Sequence, residues 1–70
     1  MSAKKEIKKL EKIASHSVSS EERKQAIDTL AAYGEVSIPA ILRVLEQSTA
    51  QEVKEHGLKK VKELKEKASK

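Results

Sequence analysis

Seventy residues, 37% of them charged, carry a net charge of +4 and include no cysteine, phenylalanine or tryptophan. A chain this short makes one domain, residues 1–70, whose core is marginal unless its elements pack well. Disulfide and thiolate-metal chemistry are excluded, and no apolar run approaches the ~20 residues of a transmembrane helix.

The first element is a helix from about Ala3 to Ser15, with Ser2 as its N-cap. Its inner stripe is Ile7, Leu10, Ile13 and Ala14. At about 100° per residue, Lys4, Lys5, Lys8, Lys9, Lys12 and His16 share an arc of roughly 140° on the opposite side. Glu6 and Glu11 flank this arc. The pairs Lys4–Lys8, Lys8–Lys12 and Lys5–Lys9 are like-charged at i,i+4 and mildly oppose helix formation. The five lysines are therefore the candidate anion- or partner-binding residues. The competing reading is a solvated face that caps one end of a helical stack.

His16-Ser17-Val18 reads as a linker. Ser19-Ser20-Glu21-Glu22 then fits a capping box, with Ser19 as cap and Glu22 three residues on. The second helix runs to about Tyr33 and buries Ala26, Ile27, Leu30 and Ala31. Gly34 stands where a left-handed stop is expected. Ser37 is placed to cap the third helix, with Pro39 in its first turn, where a missing N–H is harmless. Ile38, Ile41, Val44 and Leu45 form its inner face, with Leu42 partly inside. Thr49-Ala50-Gln51-Glu52 is a second capping box. The fourth helix runs from about Ala50 to Ala68 with the stripe Val53, Leu58, Val61 and Leu64, and Lys67 to Lys70 are expected to fray. Gly57 lies on that stripe at a cost of about 1 kcal/mol relative to alanine, which predicts close approach of a neighbouring helix.

The chain matches itself at an offset of 31 residues without a gap. Ile7, Leu10, Ile13 and Ala14 fall on Ile38, Ile41, Val44 and Leu45. Arg23, Ala26, Ile27, Leu30 and Tyr33 fall on Lys54, Gly57, Leu58, Val61 and Leu64. A period of this length signals stacked helical hairpins, each unable to bury its apolar face alone. The expected fold is all-α: four helices as two stacked hairpins, over 3–34 and 37–68.

ERKQAIDTLAAYGEVSIPAILRVLEQ followed by EVKEHGLKKVKEL resembles two HEAT-like repeats of the short, lyase type. Arg23, Ala26, Leu30, Gly34, Ile38, Pro39, Ala40 and Leu45 stand at matching places. The second copy departs from the pattern: Lys54 replaces the arginine, Gly57 the alanine, and no glycine follows Leu64. The resemblance implies an α-solenoid fragment and, for function, a binding scaffold.

Enzyme signatures are missing. His16 and His56 have no triad companions, and the serines at 15, 17, 19 and 20 are explained by caps and turns. Glu52 and His56, one turn apart, make too few ligands for a structural metal. No cofactor is expected. Tyr33, the single aromatic residue, is expected to pack between helices rather than stack on bases.

Charge is uneven: residues 1–16 carry +3, residues 17–49 carry −2, and residues 50–70 carry +3. In the last segment Glu55–Lys59, Glu63–Lys67 and Glu66–Lys70 are expected as favourable helix pairs. The first reading of function is a non-enzymatic protein-interaction module. The alternative is a basic protein that contacts nucleic acid or a ribonucleoprotein, such as the ribosome, through the first-helix lysines. Lysine is a point charge, so such contacts would be to backbone phosphates. A membrane-surface role ranks low, because the apolar side of the first helix lacks Phe and Trp. Two repeats are fewer than the three such arrays usually need, so self-association is a further expectation. The N-terminus MSAKKEIKKLEK has no apolar signal core and points to the cytoplasm. A Lys/Glu-rich chain lacking Asn hints at a thermophile.

Overall fold

A computed structural model of the chain describes residues 3–68, and among them the fold is all-helical. Ser2, expected as the first cap, and Ser69 and Lys70, expected to fray, lie outside the described residues. The elements are α1 (Ala3–His16), α2 (Ser20–Ala32), a 3-10 turn (Gly34–Ser37), α3 (Ile38–Gln47) and α4 (Gln51–Ala68). α1 begins at 3, ends at 16 and is followed by a helix start at 20. The 3-10 turn with α3 begins at 34 and ends at 47, and α4 starts at 51, so the boundaries recur 31 residues on.

α1 packs against α2 and α3, and α4 against the same two helices. α1 therefore lies beside α3 and α2 beside α4, with the core between the pairs. That core is one cluster holding Ile7 and Ala14 of α1, Ala26, Ile27 and Leu30 of α2, Ala40, Ile41, Val44 and Leu45 of α3, and Val53, Val61 and Leu64 of α4. Ile27, Leu30, Ile41, Val44 and Val53 are fully buried. Each such side chain contributes about 1.5–3 kcal/mol by leaving water.

The turns are held by local polar bonds. The Ser19 hydroxyl accepts from the Glu22 N–H at 3.5 Å, as a cap should. The Glu22 carboxylate instead accepts from the Ser17 hydroxyl. Arg23 donates its Nε–H to the Ser17 carbonyl at 2.5 Å and so clamps the α1–α2 turn. Gly34 has φ +85°, which relieves the chain of a Cβ clash in the left-handed region.

Several expected positions are corrected. Ser37 is fully buried and its hydroxyl donates to the Gly34 carbonyl at 2.8 Å, bracing the 3-10 turn rather than capping α3. The first backbone bond of α4 runs from Lys54 N–H to the Ala50 carbonyl at 3.1 Å, so Ala50, not Thr49, holds the cap position. Ile13 and Leu58 are 39% and 56% exposed, although their partners at the 31-residue offset, Val44 and Ile27, are wholly buried. The cause is position: Val44 and Ile27 are covered from both sides, whereas Ile13 and Leu58 face outward. Tyr33, expected between helices, is 37% exposed at the end of α2. Glu63 pairs with Lys60 rather than Lys67, and Glu55 accepts from the Gln51 side-chain amide. Gly57 is buried as expected, and a Cβ there would overlap the Leu45 Cδ2 of α3.

Candidate functional site

α1 turns its apolar side, Ile7, Leu10 and Ala14, into the fold and leaves Lys4, Lys5, Lys8, Lys9 and Lys12 exposed. None of the five makes an ion pair with a described residue. The structure does not treat them as one group. Lys4, Lys5 and Lys8 line a furrow of about 440 Å³ between α1 and α3. Lys8 and Lys12 line its continuation toward Ser15, His16 and Gln47. Lys9 borders neither and projects on its own.

The furrow has an apolar floor inside a charged rim. Ile7 of α1 and Ala40 of α3 are buried in its base, and Val36 and Pro39 expose apolar surface at its α3 side. Val36 is 60% exposed, because the 3-10 turn before Pro39 carries it outward. Arg43, one turn beyond Pro39 on the same side of α3, closes the rim.

Arg43 and Glu11 join the two walls. The guanidinium donates from Nε at 2.7 Å and from a terminal nitrogen at 2.9 Å to the two oxygens of one carboxylate. This two-pronged geometry is specific to arginine. The hydrogen bond from Arg43 holds the Glu11 carboxyl below its ordinary range against the opposing effect of burial; the charges of Arg43 and then Lys8 add to it. Arg43 is raised in turn, first by the same bond and then by the Glu11 charge. Glu11 thus fixes the furrow width and neutralises one cation, leaving the lysines as its net positive charge.

Sequence reasoning singled out the lysines but not Arg43, Val36 or Pro39 as furrow residues. One signal was available: Arg43 is one of two arginines in a lysine-rich chain, and both serve as geometric braces. Elsewhere, Glu52 and His56 do not converge. Glu52 faces Lys24 at 3.6 Å, and His56 Nε2 lies 2.6 Å from Asp28 Oδ1, which Lys60 also approaches at 3.7 Å. These contacts tie α2 to α4. Among the described residues no group of three or more His, Cys, Asp or Glu could hold a metal ion, and no helix is long and apolar enough to cross a membrane.

The chain matches no protein-family model, no curated protein and no solved structure.

Proposed function

We propose that the protein is a non-enzymatic interaction module, a two-repeat HEAT-like scaffold of the cytoplasm. Its α1–α3 furrow takes an acidic segment of another protein that carries apolar anchors. The observation that supports this is the combination of an apolar floor with an unneutralised lysine rim. A furrow of about 440 Å³ falls within the ~300–1,000 Å³ of ordinary binding clefts. An acidic segment would gain from the rim by charge complementarity and from the floor by burying Val36 and Pro39.

The second reading, a nucleic-acid or ribonucleoprotein contact, draws on the lysines alone. Lys12 extends the positive strip beyond the apolar floor, as a phosphate track would require.

Titration of labelled acidic amphipathic peptides, generic RNA and duplex DNA at low and moderate salt separates the two. The interaction reading expects peptide binding that is lost with Lys8→Glu and markedly weakened by the neutral Val36→Gln. The phosphate reading expects RNA or DNA binding that falls steeply with salt. It would be abolished by reversing Lys8 and Lys12 to Glu and indifferent to Val36→Gln. Peptide binding that ignores Val36→Gln overturns the furrow as the site.

A further inference from the structure

The open face beyond α3 and α4 is the second unsatisfied surface. Leu42, Leu45 and Leu58 line a groove there, with Arg43 and Glu46 on its α3 side and Lys54 on its α4 side. Arg43 is already engaged by Glu11, which leaves Glu46 and Lys54 as the groove's unmatched charges. Leu58 is 56% and Leu42 40% exposed. Neither Glu46 nor Lys54 makes an ion pair with a described residue, including each other.

A repeating chain with an open end invites head-to-tail growth, in which the α1–α2 end of one copy would cover this face. The charges oppose it. The junction between the two halves of the chain is tied by Glu11–Arg43, Lys24–Glu52 and Asp28–His56. Moved along by 31 residues, Glu11, Lys24 and Asp28 become Leu42, Glu55 and Lys59, while Arg43, Glu52 and His56 come from Lys12, Glu21 and Gln25. No ion pair survives, and two carboxylates, Glu55 and Glu21, are set opposite each other.

We propose that the α3–α4 face is covered by the same face of a second copy, across a twofold axis. Such a contact is self-complementary. Leu42 and Leu58 of each chain meet their counterparts, and each Glu46 meets Lys54 of the second copy. The result is a closed dimer in which four helical hairpins share a continuous core, past the three that such arrays usually need. The furrow lysines lie on α1 and stay outside this contact. Arg43, which borders both surfaces, is held by Glu11, so Lys8→Glu is expected to remove the furrow's ligand without changing the dimer.

Sedimentation of the full chain from micromolar to millimolar concentration is expected to show a monomer–dimer equilibrium with no larger species. Leu58→Glu should weaken it by roughly 30-fold or more, whereas Ile13→Glu at the opposite end should leave it unchanged. Glu46→Lys and Lys54→Glu should each abolish the homodimer. A mixture of those two variants should restore a heterodimer, because positions 46 and 54 then carry one sign on one chain and the opposite sign on the other. A monomer at every concentration, growth into open chains, or two single variants that fail to pair when mixed would overturn the proposal.

Discussion

Arginine and lysine divide the labour at single positions. Arg23 and Arg43 each hold an oxygen partner in fixed geometry, while the lysines of α1 stay solvated, as a flexible, strongly hydrated ammonium favours. Glycine is equally specialised. A Cβ on Gly34 would meet nothing within 4 Å, so the cost of Gly34→Ala comes from its φ of +85° alone. It is expected to destabilise by about 1–2 kcal/mol in urea unfolding, with Gly34→Asn costing less. Gly57 is set by a neighbour instead: the Leu45 Cγ would stand 3.1 Å from an added Cβ. Leu45 borders the open α3–α4 groove and can yield toward it, at a cost that offsets the helical gain of alanine. Gly57→Ala is thus expected to leave the parent's stability unimproved, yet to stabilise a Leu45→Ala background by about 1 kcal/mol. Equal effects in both backgrounds would refute the close approach as the reason for this glycine.

At the scale of elements, the 32-residue link from Glu11 to Arg43 is the polar fastening between α1 and α3. Its pH dependence has a definite sign. Glu11 is held below its ordinary value in the folded state, so the stabilisation is fully present above the unfolded carboxyl pKa of about 4.3. It disappears as the pH falls through the lower folded value. Thermal midpoints of the parent and Glu11→Gln should therefore differ above that range and converge in acid. A gap that widens toward low pH would contradict the pairing. The α1–α2 hairpin depends on its own fastening, the Ser19 cap. Ser19→Ala is expected to cost about 1 kcal/mol, measured by the urea midpoint.

Across the whole molecule there is one core rather than two. Ile27 and Leu30 of the first half and Ile41, Val44 and Val53 of the second are all wholly buried in the same cluster. A 70-residue domain is expected to have only about 4–10 kcal/mol of total stability. Leu30→Ala, at about 2–5 kcal/mol, should remove a large part of it and lower the urea midpoint accordingly. The same sharing predicts a single cooperative transition and little helicity, by circular dichroism, in a peptide of residues 1–34 alone. A well-folded peptide would show the halves to be independent. Two surfaces, the α1–α3 furrow and the α3–α4 groove, are the ones that the proposed acidic segment and the proposed second copy would cover.

Local chemistry alone determined the four helices, the Ser19 cap, the Gly34 stop, most of the buried stripe and the exposed lysines of α1. Each depends on helical periodicity or on a bond within a few residues, which sequence spacing encodes. Tertiary packing decided the rest. Ile13 and Leu58 have the periodicity of core residues and are exposed because no helix lies against them; Ser37 and Ala50 took up roles that depend on the backbone around them. The furrow joins Lys4, Lys5 and Lys8 to Val36, Pro39 and Arg43 across about thirty residues of chain. No local rule carries that juxtaposition, because it arises only when α1 and α3 pack side by side and bury their apolar sides in one shared core.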